Sequence, residues 1–154
     1  MKKYKAVKQM LIANDIPQVL LYYKPKKTGV KISGSRDTFD YILPLWSGID
    51  HYESFYCILL NRANKTIGFF EVGKGGITAT VADIKIILQS VIIANATALI
   101  IVHNHPSGNV TPSELDIKLT KQIKEAAKLI GSELIDHLII TSNGYFSFAD
   151  EGIL

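Results

Sequence analysis

His103 and His105 stand two residues apart at the end of an apolar run, Leu99-Ile100-Ile101-Val102, of the kind a buried strand shows. Side chains alternate faces along a strand, so the two imidazoles lie on one face, close enough to share a small ion. Pro106, Ser107, Gly108 and Asn109 then turn the chain. Thr111-Pro112-Ser113-Glu114 follows: a hydroxyl N-cap, proline at the first helical position, and a glutamate three residues after the cap. This predicts a helix start, and on that helix Ser113 and Asp116, three apart, share a face. If the turn folds back, two imidazoles and one carboxylate converge.

Two neutral histidines and an aspartate suit Zn2+ and leave a fourth tetrahedral position open to water, whose pKa there falls to about 7. Such a water needs a base within reach and a donor to steady the oxyanion of a tetrahedral intermediate. Ser113 is placed to be that donor. Either histidine alone would read as an ordinary core or surface residue. The pair, with an acidic helix start just downstream, favours a metal site.

His103-x-His105, seven residues, Ser113, two residues and Asp116 resembles the HxHx7SxxD signature of the JAB/MPN+ (JAMM) metalloproteases. The run His103-Asn104-His105-Pro106-Ser107-Gly108 is similar to the bacterial RadC-like branch, formerly labelled DNA-repair proteins. Four fixed residue types at fixed spacing arise by chance in a chain this long at roughly the one-in-several-thousand level. The resemblance spans residues 36–150, most of the chain. It implies zinc as the cofactor, with His103, His105 and Asp116 as its ligands, and an upstream glutamate as general base. Glu53, in His51-Tyr52-Glu53-Ser54-Phe55-Tyr56, sits where RadC-like proteins carry theirs. Glu71, beside a Gly-rich turn, is the competing candidate.

The activity so implied is hydrolysis of a peptide or isopeptide bond, with an unknown protein or peptide as substrate. The alternative is a DNA-repair or recombination accessory protein whose catalytic substrate is not protein. Longer RadC-like proteins carry an N-terminal helix-hairpin-helix region, and the first 34 residues here are too short and irregular to supply it. No dedicated DNA-binding domain is therefore expected. A third reading keeps the metal for hydrolysis of some other bond, or as a structural ion.

The 154 residues fit one domain with a core large enough to fold unaided. A hydrophobic content of 47% with 20% charged residues is ordinary for a globular protein and argues against disorder. Net charge +3 and a pI of about 8.9 permit weak attraction to nucleic acid or acidic partners without requiring it. Cys57 is the one cysteine, in an apolar run, so an internal disulfide is excluded and a buried, inert thiol in a reducing cytoplasm is expected. No stretch approaches ~18 uninterrupted apolar residues, and neither a membrane span nor a signal peptide is expected.

The supporting elements divide into an N-terminal extension, residues 1–34, and the metal-dependent hydrolase domain, residues 35–154. In the extension, Tyr4 to Ala13 could be a short helix and Val19 to Tyr23 a strand. Lys24, Lys26, Lys27 and Lys31 there read as a solvated edge, or else a docking patch for phosphates. Ser35 can cap a helix carrying Phe39, Ile42, Leu43 and Trp46 on one face, ended or kinked by Pro44. Glu53 to Leu60 and Thr66 to Val72 read as a hairpin, closed by Gly73, Gly75 and Gly76; Thr78 and Thr80 continue the sheet or lead into the next helix. Thr80-Val81-Ala82-Asp83 predicts a capped helix to about Asn95, so apolar that it must be well covered. The helix from Pro112 to Ile130 turns Leu115, Leu119, Ile123, Ala126, Ala127 and Ile130 inward, with Lys118, Lys121, Lys124 and Lys128 outside and Gly131 as its stop. Leu134 to Thr141 is a strand, Asn143-Gly144 a hairpin signal, and Tyr145 to Phe148 the return. His137 is assigned a structural role. The fold class expected is α/β: a mixed, largely antiparallel sheet flanked by helices, the JAB/MPN, cytidine-deaminase-like architecture the resemblance also implies.

Overall fold

A strand apolar at nearly every position needs cover on both faces, and Ala98–Asn104 (β3) has it, at the middle of a five-stranded sheet. The computed structural model describes residues 29–75 and 82–154. Across the sheet the order is β2 (Thr66–Lys74), β1 (Ser54–Leu60), β3, β4 (Glu133–Thr141) and β5 (Gly144–Ser147). β1 pairs antiparallel with β2 and with β3, and β4 with β5, whereas β3 and β4 run parallel. A parallel pair cannot be joined by a tight turn. The crossover here contains the helix Glu114–Leu129 (α3). The architecture is the mixed, largely antiparallel α/β sheet that the sequence predicts.

Alternation divides the strands between two cores. Phe55, Cys57, Leu59, Leu99 and Ile101 meet Ile87, Val91 and Ala94 of Ile84–Ala94 (α2) and Ile123 and Ala127 of α3. Tyr56, Ile58, Leu60, Ile100 and Val102 pack on Phe39 and Ile42 of Ser35–Ile42 (α1). Continued to the end of β3, this alternation sends His103 to the α3 side and Asn104 to the α1 side. β4 breaks the rule. Leu99 pairs with Leu134 but Ile100 with Asp136, so Ile135 is an extra residue with no partner in β3. That bulge lets Leu134 and His137, three residues apart, serve the same face.

Several elements depart from expectation. The N-cap of α3 is Ser113, not Thr111, because Asp116 rather than Glu114 completes the reciprocal capping box. Leu115, in the first turn of the helix, is 74% exposed instead of inward. Ile130 is also exposed, and Thr120 takes a buried place beside Ile123 and Ala127. In α2, Asp83 is itself the N-cap, its carboxylate accepting from the Lys85 N–H, so the helix begins at Ile84. Its apolar face is wider than its cover, leaving Ile86 and Ile92 exposed. Ser35 lies within α1 behind a Gly34 cap, and its hydroxyl bonds Asp150 instead. Pro44 sits in a 3-10 turn, Leu43–Leu45, that ends this helix as predicted, and Trp46 packs against Tyr56. The β4–β5 turn residues are Ser142 and Asn143, with Gly144 already in strand. The helix and strand expected in residues 4–23, Lys24, Lys26, Lys27, Gly76, Thr78 and Thr80 lie outside the described residues.

Ile101, fully buried between β1 and β4, should cost about 2–5 kcal/mol when cut to alanine. Leu115→Ala should stay within about 0.5 kcal/mol, and urea melts of the two variants separate the outcomes.

Candidate metal centre

The end of β3 and the start of α3 bring His103, His105 and Asp116 together. His103 Nε2 lies 3.0 Å from His105 Nε2 and 3.3 Å from Asp116 Oδ1, and His105 Nε2 lies 3.9 Å from Asp116 Oδ2. Tetrahedral zinc with bonds of about 2.0–2.1 Å needs ligand atoms about 3.3–3.4 Å apart. The 3.0 and 3.3 Å separations from His103 Nε2 lie near that value, and one donor atom from each of the three residues lies within 4.8 Å of the others. Among the described residues this is the one cluster of three or more histidine, cysteine or acidic side chains able to hold a metal ion. Its donors, two imidazole nitrogens and a carboxylate oxygen, fit zinc.

Each donor is oriented from behind. The His105 Nδ1–H donates to the Asn109 carbonyl at 2.6 Å, which leaves Nε2 as the nitrogen facing the centre. His103 Nδ1 lies 2.8 Å from His137 Nε2, and its ring stacks on Phe55. Asp116 Oδ2 accepts from the Ser113 N–H at 2.7 Å and the Ser113 hydroxyl at 2.6 Å, while Ser113 Oγ accepts from the Asp116 N–H. Burial by itself would raise the Asp116 carboxyl. Hydrogen bonding and charge from His103, then the two Ser113 bonds, outweigh it and hold the group well below the usual carboxylate range. Burial drives His137 well below its ordinary value, so that ring stays neutral.

Glu53 immediately precedes β1 and lines a cleft of about 290 Å3 together with His51, Tyr52, His105, Pro106 and Ser107. Glu71, on β2, accepts from the Ser54 hydroxyl at 3.3 Å and is absent from the cleft lining. The loop carrying Glu53 is clamped by Asn104, the residue between the two histidines. Asn104 Nδ2 donates to the carbonyls of Ile49 (2.6 Å) and Tyr52 (2.9 Å), and its Oδ1 accepts from the Ser54 N–H (2.7 Å). Gly48 in the same loop has φ +70°, and a Cβ there would sit 2.7 Å from the Tyr52 ring, so both backbone and space call for glycine. Successive residues of β3 thus serve separate tasks. His103 faces α3 and the ion site; Asn104 faces the opposite side and fixes the loop.

The sequence reading names Glu53, His103, His105, Ser113 and Asp116, and the fold gathers the last four, with Glu53 in the cleft beside His105. It misses Asn104 and Thr120. It assigns His137 only a structural role, although this side chain hydrogen-bonds His103. No sequence signal marks Asn104, and the bulge at Ile135 hides the facing of His137. Cys57 is fully buried, and burial pushes its thiol far up, as an inert residue requires.

Fold and site together define a mixed-sheet α/β domain built around a two-histidine, one-carboxylate cluster. The chain belongs to the RadC-like JAB domain family, whose description it matches over residues 32–153. It is 42% identical over 123 residues to a UPF0758 protein of Flavobacterium johnsoniae, covering 80% of this chain and 53% of that protein. A UPF0758 protein of Porphyromonas gingivalis is 44% identical over 124 residues (80% and 54%), and one of Staphylococcus carnosus 35% over 132 residues (86% and 58%). The chain spans about half the length of the curated relatives it matches. Among the described residues no helix is long and apolar enough to cross a membrane.

Asn104→Ala strips the buried Ser54 N–H of its acceptor and should cost at least about 1–3 kcal/mol, with faster hydrogen exchange at that amide. The depressed Asp116 carboxyl gives a signed pH dependence in metal-free protein. Its stabilisation is present above the unfolded value of about 3.9 and is lost as pH falls toward the lower folded value. Asp116→Asn should flatten that acid limb in thermal melts recorded across pH.

Proposed function

We propose that this protein is a zinc-dependent hydrolase of the JAMM type, cleaving an amide bond in a peptide or isopeptide. The observation that carries the reading is the cluster itself: two imidazole Nε2 atoms and a carboxylate within 3.0–3.9 Å, beside a cleft that Glu53 lines. His103, His105 and Asp116 would hold the ion. When bound, zinc supplies Lewis acidity toward a water and the scissile carbonyl. Glu53 is the general base: it takes the proton of the attacking water and returns it to the leaving amine. Its place in the cleft favours it over Glu71 for this work. The Ser113 hydroxyl, which donates to Asp116 at rest, turns to donate to the carbonyl oxygen as negative charge builds there. Asn104 holds the base's loop against β3, which keeps Glu53 in register with the cleft. The substrate is a protein or peptide, and the site of action a reducing compartment such as the cytoplasm.

Metal analysis of protein purified without chelator, paired with cleavage of a peptide library, tests the proposal. Zinc near one equivalent and turnover that chelator abolishes are expected. Glu53→Ala should lower turnover by at least about 10²-fold, the scale of a lost general base, with zinc retained. His103→Ala should lose both. Full activity in Glu53→Ala would overturn the base assignment, and a metal-free, inactive wild type the whole reading.

A further inference from the structure

We infer that Thr120 and His137 are positioning residues that fix the proton on His103 and so keep its Nε2 lone pair available to a metal ion. The inference deepens the zinc reading above and rests on it. It starts from a hydrogen-bond chain that runs from the backbone of Asp116 to the ring of His103. The Thr120 hydroxyl donates to the backbone carbonyl of Asp116 at 2.6 Å, one turn back in α3. A hydroxyl has a single proton, so with it committed there Thr120 Oγ1 can only accept from its other neighbour, His137 Nδ1, also at 2.6 Å. His137 Nδ1 then carries that ring's proton. His137 is fully buried, and a neutral imidazole has one N–H, so its Nε2 must accept. The group 2.8 Å away that can donate is His103 Nδ1–H. With Nδ1–H committed to His137, the one nitrogen His103 can offer a metal ion is Nε2, and that atom faces Asp116 Oδ1 at 3.3 Å and His105 Nε2 at 3.0 Å.

The opposite polarity would run Thr120 O–H to His137 Nδ1, His137 Nε2–H to His103 Nδ1, and leave the proton on His103 Nε2. That tautomer cannot ligate. What selects the first polarity is the Asp116 carbonyl, an acceptor only. The surroundings hold the rings in place: His137 stacks on Phe148 with centroids 4.5 Å apart, and His103 on Phe55 at 5.8 Å. Because the chain is anchored to the α3 backbone at Asp116, the same helical turn sets the carboxylate and the tautomer of the facing imidazole. His137 itself offers the ion nothing, since both its nitrogens are used.

The test uses the full chain with ¹⁵N-labelled histidine. In zinc-loaded wild type, long-range ¹H–¹⁵N spectra should show His137 and His103 protonated at Nδ1, and Thr120→Val should redistribute the His137 tautomers. Zinc competition against a chromophoric chelator should then show His137→Phe, which keeps a ring but offers no acceptor, binding about 10–100-fold more weakly. His137→Gln, whose amide oxygen can accept from His103, should recover part of that loss. If His137→Phe does not fold, Thr120→Val and His137→Gln decide the matter, each expected to weaken zinc binding while the unfolding transition stays cooperative. A zinc-loaded wild type with His137 protonated at Nε2, or zinc affinity unchanged in the folded variants, overturns the inference while leaving the zinc reading intact. A wild type that binds no zinc sinks both.

Discussion

The reciprocal bond between Ser113 and Asp116 joins the fold to the site. A helix start has orphan N–H groups and a positive dipole end, and a carboxylate three residues into it answers both. Asp116 does this with one oxygen, which accepts from Ser113, while the other faces His103. The carboxylate's direction is therefore a consequence of how α3 begins. Because α3 lies in the crossover between two parallel strands, its N-terminus comes up beside the carboxyl end of β3. Ligand sites gather outside the carboxyl ends of parallel strands in open α/β sheets, and this one follows the rule.

Burying polar rings in such a place is costly unless their hydrogen bonds are made. Each imidazole around the centre has its rear nitrogen occupied: His105 by a main-chain carbonyl, His103 by His137, and His137 by Thr120. Phe55 and Phe148 fill the remaining space with apolar faces. The network is rigid because every member is satisfied, which is the condition under which a buried polar cluster specifies one structure. Asn104 repeats the principle on the other side of the sheet, exchanging three hydrogen bonds with the loop backbone around Tyr52. Alternation along one strand is enough to hold the loop of Glu53 and the imidazoles in a common frame.

Much of this was legible in one dimension because it is local. The apolar run before His103, the i, i+2 pairing of the histidines, the turn residues 106–109 and the capping chemistry near Ser113 all act over a few residues. Even there the competition between neighbouring caps was closer than spacing reveals. Thr111 with Glu114 and Ser113 with Asp116 are both capping boxes on paper, and the second forms because it also satisfies Asp116 opposite His103. Nor does spacing reveal that Leu115 stays exposed while Thr120 is buried. The apolar surface of α2 misled in another way, since composition states how much a helix could bury and not how much its neighbours can cover.

The sequence by itself determined the ingredients: a metal-compatible set of side chains, a central apolar strand to carry two of them, and a helix start to carry the third. Only the tertiary structure decided which way the protons run and what stands behind each ligand. That depends on His137 facing His103, which requires the extra residue Ile135 in β4, a bulge that no local pattern announces. Facing across strands is set by pairing register and by the helices that cover the sheet, and those are properties of the packed whole.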